Sequence, residues 1–474
     1  MRMNTMRGFA KKATAVFLAF GLSVMIPATA FAANDVNTTV VANATAKDVS
    51  VEVGNVTPTY GNKCIDADAA NGHTATVKAG NLTTEENVAI SADATSLGVI
   101  DIQTGNVTSA KDSGLQAKIE GEGTITATLG DVASGEQGAG IWTSADDRDV
   151  LTHESSITVK AGDVNAEGEG IVVRPYEHSR ITVEAGDVNA KSNGIEIVAE
   201  NGAFATVSAN DVTSGKSGIF LFTGEGSVVD VLVTGTLSGE KAPITFFGSE
   251  WINAGSFTLT AWKINFNDSI VMMANADAAL SAQANPSDGS AARAAANAMD
   301  KNAYTLNTAN ADFSSSVEKS ILYIMKLTQP DSGATLFATD ANGKPLATSH
   351  GYSVAKEGDR VLLKVRVDEG SELLAAYDGA GNEVKLVKGE DGCYYIAYTV
   401  PRGGGIGLSV ILNGDLVNLV DDEQQAAVRA MGAANGKPAN TLANTGDSLH
   451  VLPLAAIALF AAVALTVGVR KRAS

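Results

Sequence analysis

The sequence predicts an all-β chain: a right-handed parallel β-helix followed by a small antiparallel β module, between an N-terminal signal peptide and a C-terminal transmembrane helix. Three observations support this prediction: a short motif that recurs about every 25 residues, runs of alternating apolar and polar residues, and apolar segments with basic residues at both ends. Self-similarity at such a period is typical of solenoids, whose coils stack on one another. The expected segments are 1–32, 33–270, 271–321, 322–413, 414–441 and 442–474.

Residues 1–32 have the composition of a secretory signal peptide. Basic residues as far as Lys12 precede the apolar run ATAVFLAFGLSVMI, and small residues end the segment at Ala32. A basic start, a short apolar core and a small-residue cleavage site are the signature of such a peptide. We expect cleavage after Ala32, with an uncleaved membrane helix as the alternative.

A glycine, then asparagine or aspartate, then valine or leucine recurs through residues 33–270. The motif begins at positions 54, 80, 105, 130, 162 and 186, with degenerate copies at 210 and 235. Alternating β-branched runs precede each copy, and in most coils a second run follows a small residue, as at Gly170 and Ile171. Such alternation marks strands that bury one face. Two or three short strands per repeat predict one coil of a parallel β-helix, with the isoleucines stacked inward and the usual right-handed crossover.

These repeats resemble the right-handed parallel β-helix domains of bacterial surface proteins and polysaccharide-active enzymes. The second position of the motif is an aspartate in the later coils, at Asp131, Asp163, Asp187 and Asp211. Such side chains can hydrogen-bond to turn amides, whereas stacked carboxylates about 4.8 Å apart could instead bind Ca²⁺. Because the earlier coils carry asparagine there, which serves a turn equally well, we predict a turn role and no cofactor, with Ca²⁺ as the alternative.

The one long interval between motifs contains an insertion with titratable side chains. They are Asp146, Asp147, Asp149 and His153, and the matching loop one coil later holds His178. Insertions in a solenoid gather on one face and often line its binding surface. Paired carboxylates there could perform acid and base chemistry on a polysaccharide, as in glycosidases or lyases. A solvated charged loop is the alternative.

Several aromatic side chains occupy positions predicted to point outward from the coils. Counted from the coil glycine, the second and fourth positions should face outward if the isoleucines face inward. These positions and the adjoining loop hold Trp142, Arg174, Tyr176, Phe220, Phe222 and Phe247. An exposed aromatic face suits a glycan or a host surface protein as ligand. Packing beneath residues 271–320 would explain the same residues.

Residues 322–413 read as four or five antiparallel strands separated by the turns DEG, GAGN and GEDG. This segment resembles the small Ig-like all-β repeat modules of bacterial surface proteins. Residues 271–321, rich in alanine, asparagine and serine, are expected to form a linker or a helical excursion. Residues 414–441 are expected to be a spacer toward the cell wall.

The C-terminus carries a short motif, then an apolar run at 451–469, then the basic tail RKRAS. The motif is Leu442, Ala443, Asn444, Thr445 and Gly446. The apolar run is long enough to span a membrane, and the basic tail would hold its end in the cytoplasm. The arrangement resembles the sorting signal of Gram-positive wall proteins, with Ala443 in place of the usual proline. The resemblance implies that a sortase cuts after Thr445 and joins it to peptidoglycan; a single-pass anchor is the alternative.

The charge balance excludes polyanions as partners. The chain has 53 acidic and 34 basic side chains, a net charge of −19, so its surface repels nucleic acid and anionic membranes. Cys64 and Cys393 are expected to be two small buried residues, with a disulfide as the alternative.

No common catalytic motif is present, neither G-x-S-x-G, a P-loop, a dinucleotide fingerprint nor H-E-x-x-H. We therefore expect a wall-anchored extracellular adhesin or binding protein for a glycan or a host protein, rather than an enzyme. A polysaccharide lyase or hydrolase, and a passive stalk, are the alternatives.

Overall fold

The computed structural model describes residues 34–59, 62–146, 155–247, 255–265, 271–276, 304–308 and 311–413. All of them belong to one compact unit, which ends at Asn413. The fold is all-β, with a parallel β-solenoid of about eight turns and small antiparallel sheets, which confirms the predicted class.

Each solenoid coil has up to three strands, one in each of three walls. The first wall consists of Val40–Ala44, Ile65–Ala69, Ile90–Thr95, Leu115–Glu120, Ile141–Asp146, Ile171–Tyr176, Ile195–Ala199, Ser217–Thr223, Ala242–Phe247 and Val271–Ala276. The second wall consists of Val49–Glu52, Thr74–Lys78, Gly98–Gln103, Gly123–Thr128, Ser156–Lys160, Arg180–Glu184, Phe204–Ala209, Val228–Gly239 and Ser256–Ile264. The third wall consists of Leu82–Thr84, Val107–Ser109, Val132–Ser134, Val164–Ala166, Val188–Ala190 and Val212–Ser214, and the end of Val228–Gly239 continues it. Within each wall, consecutive strands pair in parallel.

The core is a set of ladders, because each coil places the same kind of side chain at the same interior point. Ile141, Ile171 and Ile195 are in register on neighbouring strands of the first wall, and each is 0% exposed. Val164 and Val188 form the corresponding ladder of the third wall, also 0% exposed. A single coil cannot bury these side chains alone, so the repeat exists to stack them. The predicted inward stacking of isoleucine is confirmed.

A second ladder runs along the surface and explains the recurring motif. The backbone N–H of Asp163 donates to Oδ1 of Asp131 at 3.0 Å, and that of Asp187 donates to Oδ1 of Asp163 at 2.9 Å. The same bond links the asparagines of the earlier coils, for example Asn81 N–H to Asn55 Oδ1 at 2.8 Å. Each side chain therefore satisfies an amide of the next coil, which confirms the predicted turn role.

The glycine of the motif is needed because the capping oxygen lies against it. A Cβ added at Gly186 would lie 2.3 Å from Asp163 Oδ1, and one at Gly162 would lie 2.3 Å from Asp131 Oδ1. One coil has Asn210 at this position, and there the cap from Asp211 N–H to Asp187 Oδ1 lengthens to 3.2 Å. A side chain is thus tolerated at the expense of the capping bond.

Gly186→Ala should therefore lower the free energy of unfolding by about 1–2 kcal/mol, because the new methyl group must displace the cap. Asp163→Ala should cost about 1 kcal/mol, since it removes the acceptor. Urea denaturation of both single variants and the double variant measures the interaction energy between positions 163 and 186. The double variant should lose less stability than the two single losses combined, because the clashing atom is gone. Strictly additive losses would contradict this explanation of the glycine.

The solenoid continues past residue 270, the boundary expected from the sequence. Val271–Ala276 pairs in parallel with the preceding first-wall strand, Ala242–Phe247. Tyr304–Thr308 then pairs antiparallel with Val271–Ala276. A helix, Ala311–Ser320, follows and has Lys319 in its last turn. Its Phe313 ring meets the ring of Phe246 edge-on, with centroids 5.0 Å apart. The described parts of 271–321 are therefore two strands and a helix.

The remaining strands belong to residues 322–413. They are Leu322–Ile324, Lys326–Leu327, Ala334–Asp340, Ala347–Ser349, Tyr352–Ala355, Arg360–Val367, Leu373–Asp378, Val387–Lys388, Tyr394–Thr399 and Gly407–Leu412. A four-stranded antiparallel sheet and a three-stranded sheet account for seven of them. The other three extend a sheet of the solenoid, beginning where Leu322–Ile324 pairs in parallel with Ser256–Ile264.

Side-chain contacts join the solenoid to residues 322–413. Trp262 Nε1 donates to the carbonyl of Ile406 at 3.0 Å, and the Lys326 ammonium lies 4.4 Å from the centroid of the Trp262 ring. Tyr323 is 1% exposed, and burial raises the pKa of its hydroxyl to about 12. The C-terminal part therefore covers the end of the solenoid.

One ion pair across this junction should make stability depend on pH. His350 Nε2 lies 3.1 Å from Asp230 Oδ2, and this hydrogen bond raises the pKa of His350 above its ordinary value. The added stability, about 1 kcal/mol, should be fully present below the unfolded-state pKa of about 6.5 and be lost as pH rises through the folded-state value.

His350→Asn removes the titrating group and keeps a residue that tolerates the left-handed backbone at φ 50°. The wild-type advantage over this variant, measured by urea denaturation between about pH 5 and about pH 9, should shrink as pH rises. His178→Asn, in an exposed turn, is the matched control. An advantage that stays constant across this range would refute the role of the pair.

Cys64 and Cys393 are both free and buried, as expected, and burial raises the pKa of the Cys64 thiol to about 12. Among the described residues, no helix has the length and apolar character to cross a membrane. The predicted signal peptide at 1–32, the spacer at 414–441 and the transmembrane segment at 451–469 lie outside the described residues.

Candidate functional site

A groove with a volume of about 660 Å³ lies on the solenoid at the corner between the third and first walls. Its floor is the outer face of the first wall, and its rim is formed by the turns that lead into this wall. Successive coils contribute equivalent residues, so the groove follows the solenoid axis. Coils stack at about 4.8 Å, which gives the groove the elongated shape that an oligomeric ligand needs.

The floor is a column of side chains at one position of successive first-wall strands. Gln116, Trp142, Val172 and Glu196 are in register on neighbouring strands. Their inward neighbours are core residues, so this column faces outward. Trp142 is half-buried and lines the groove with part of its indole accessible. One aromatic side chain therefore lines the groove among polar groups.

A buried ion pair fixes one end of the floor. Arg174 Nη2 donates to Glu196 Oε1 at 3.1 Å, and the side chains are only 12% and 5% exposed. Asn193 Nδ2 donates to the other carboxylate oxygen at 3.3 Å. Burial raises the pKa of Glu196, and the Arg174 charge opposes that rise. The contacts hold both groups in one orientation, which is the preorganisation that a binding site requires.

The rim carries charged side chains of both signs. It includes Asp112, Glu136, Glu167, Glu169, Lys191 and Lys216. Lys191 pairs with Glu167 on the preceding coil, and Ser192 Oγ donates to Glu169 Oε1 at 3.0 Å. These turn residues are not among the predicted site residues, because charged turns are usually only solvated. The sequence pattern that could have indicated a site is the recurrence of charged residues at one corner of the coil, just before each first-wall strand.

The expected aromatic ligand face is wrong for the three phenylalanines. Phe220, Phe222 and Phe247 are 0%, 2% and 0% exposed, and the rings of Phe220 and Phe247 have centroids 5.8 Å apart. They point away from the coil interior, as the pattern indicated, but the chain covers them. Burial supports packing within the chain, the alternative explanation. Of the expected face, Trp142 and Arg174 line the groove and the half-buried Tyr176 does not.

The two expected catalytic residues that the structure describes, Asp146 and His178, lie at another corner. Asp146 is in register with Tyr176 where the first wall ends, and His178 lies in the turn that follows, at φ 61°. Neither residue lines the groove. Asp147, Asp149 and His153 lie outside the described residues. The described residues of this set therefore do not join the groove residues.

The expected metal ligands are the capping residues of the surface ladder. Oδ1 of Asp131, Asp163, Asp187 and Asp211 each accepts a backbone N–H of the following coil. Within the described ranges, no group of three or more His, Cys, Asp or Glu side chains is placed to hold a metal ion.

The sorting motif at 442–446 lies outside the described residues, so its role stays a prediction. Comparison with known proteins gives no relative: no family model, no curated protein and no solved structure matches the chain.

Proposed function

We propose that this chain is a wall-anchored surface protein that binds an oligosaccharide in the groove beside Trp142. The observation that supports it is the combination of a half-buried tryptophan side chain with an oriented polar pair, Arg174 and Glu196, in one elongated groove. A sugar ring presents an apolar face and a rim of hydroxyl groups, so it needs both kinds of contact. A host surface protein is the other ligand class that such a groove accommodates.

The two ends of the sequence support attachment of the protein to the cell wall. A signal peptide at 1–32 would export the chain, and the transmembrane helix at 451–469 would hold it until a sortase joins Thr445 to peptidoglycan on the extracellular face of a Gram-positive cell. The right-handed solenoid and the Ig-like module at 322–413 would then project from the wall through the spacer at 414–441. Thr445→Ala should move the protein from the wall fraction to the membrane fraction, because the uncut transmembrane helix would keep holding it; a fractionation immunoblot measures this.

A polysaccharide hydrolase or lyase is the second candidate, and one observation favours it. Glu196 is a buried carboxyl with a raised pKa, and the charge of Glu169 on the neighbouring coil contributes to that rise. Carboxyl pairs of this kind serve as acid and base in glycosidases. Because Arg174 and Asn193 occupy both oxygens of Glu196, binding without turnover is the better-supported function.

The test is a glycan and host-matrix array probed with the purified full-length chain in mild detergent, with and without Ca²⁺. Trp142→Ala should weaken binding to the selected glycan by about tenfold or more, because an interface aromatic typically contributes over 1 kcal/mol. Phe204→Ala is the matched control: Phe204 is half-buried on the second wall beneath Arg180, outside the groove. It should bind like wild type.

Equal weakening by both variants, or by neither, would refute the groove as the binding site. Chromatography of the selected glycan after incubation separates the two candidates. An intact glycan supports the binding protein, and shortened products support the enzyme. A requirement for Ca²⁺ would support the alternative that the surface aspartates bind this ion.

A further inference from the structure

The groove is acidic once its internal ion pairs are considered. Five carboxylates and three cations line it: Asp112, Glu136, Glu167, Glu169 and Glu196, against Arg174, Lys191 and Lys216. Two of these cations are matched within the groove, Arg174 by Glu196 and Lys191 by Glu167. Asp112, Glu136, Glu169 and Lys216 also line the ligand space, so carboxylates outnumber cations there.

These carboxylates line the same groove as Trp142, where Glu136 is exposed to water. Asp112 and Glu169 are half-buried, and Glu169 is oriented by the hydrogen bond from Ser192. A carboxylate in such a place interacts more strongly with an opposite charge than a fully solvated one does, because less water screens it. The face of a tryptophan ring also attracts cations. Both features favour a positively charged group on the ligand.

We propose that the groove selects an oligosaccharide that carries protonated amines, the class of a de-N-acetylated amino sugar. The inference rests on the proposed glycan binding and adds its specificity. An ammonium group would form charge-assisted hydrogen bonds with Glu136 and Glu169, while the sugar ring stacks on Trp142. Uronate or sulfated glycans would be repelled by the same carboxylates and by the chain's net charge of −19.

The test compares three probes of equal length against the full-length chain by calorimetry. They are the β-1,4-linked tetramer of glucosamine, its fully N-acetylated counterpart, and a tetramer of galacturonate, at a pH where the amines are protonated. The glucosamine tetramer should bind at least about tenfold more tightly than the N-acetylated one, as a charge-assisted contact allows. Its advantage should shrink between about 0.05 M and about 0.5 M salt.

Variants test whether the carboxylates of the rim cause the preference for the amine probe. Glu136→Gln and Glu169→Gln should each weaken binding of the amine probe more than binding of the N-acetylated probe, since the substitution removes a charge and keeps the shape of the side chain. Glu184→Gln is the matched control, because Glu184 pairs with Lys160 at 2.8 Å on the second wall, outside the groove. It should change neither affinity.

The outcomes separate this inference from the function on which it rests. Equal or tighter binding of the N-acetylated probe, still lost in Trp142→Ala, would overturn the amine preference and keep glycan binding. Tighter binding of the galacturonate probe would also overturn the preference. Failure of all three probes, together with silence on the glycan array, would overturn both proposals.

Discussion

Replacing Ile195 by alanine is expected to lower the free energy of unfolding by about 3 kcal/mol. Ile195 is 0% exposed and stacks in register between Ile171 on one side and Ile219 on the other. The substitution removes buried methyl and methylene groups and leaves a cavity, because the neighbouring coils are fixed by their own ladders. Since each coil contacts only its neighbours, the lost contacts also weaken the coupling between the two halves of the solenoid.

Urea denaturation followed by circular dichroism measures this loss. Thr182→Ala is the matched control, because Thr182 is a half-buried residue that alternates with the inward Ile181 and Val183 on the second wall. Its effect should stay within about 0.5 kcal/mol. Similar losses for the two variants would show that the isoleucine ladder is not the core of the fold.

Removing one partner of the groove's ion pair is expected to lower the free energy of unfolding about as much as Ile195→Ala does. Glu196→Leu should lower the free energy of unfolding by about 3 kcal/mol, because it leaves the Arg174 guanidinium, 12% exposed, without its carboxylate. The same variant should also lose glycan binding, since Arg174 would no longer be held in its orientation. Denaturation and calorimetry on one sample measure the two effects together.

A double variant separates stability from binding. Arg174→Met combined with Glu196→Leu replaces the pair by apolar side chains of similar size, so stability should return to within about 1 kcal/mol of wild type. Binding should stay weak, because the polar contacts are gone. Restored binding in the double variant would show that the pair is structural only and that the ligand contacts other groups.

The sequence predicted the features that depend on the repeat itself. The spacing of the motif specified the coils, the isoleucine at one interior point specified the core ladder, and the exchange of Asn81 for Asp163 at one position indicated a turn role. Each is a local pattern that recurs in every coil, and a solenoid converts such a pattern directly into contacts between neighbours.

Features set by contacts between distant segments were not predictable. Trp142 and Phe220 occupy the same outward position of their coils, yet Trp142 is half-buried and Phe220 is 0% exposed. The repeat places both side chains alike, so contacts outside the repeat decide which of them is buried. The pairing of Leu322–Ile324 with Ser256–Ile264 joins segments far apart in sequence, so no local pattern announces it. The groove rim, with Glu136 and Glu169, looks like ordinary charged turns until the fold places these residues beside the indole.

Hydrogen–deuterium exchange with and without the glycan selected on the array tests the central claim most directly, because it locates the ligand on the full-length chain. Slower exchange is expected in the turns 135–139 and 167–169 at the groove, and unchanged exchange in the turn 177–179 at the other corner. Protection confined to 177–179, or to the module at 322–413, would contradict glycan binding beside Trp142 and place the ligand site elsewhere.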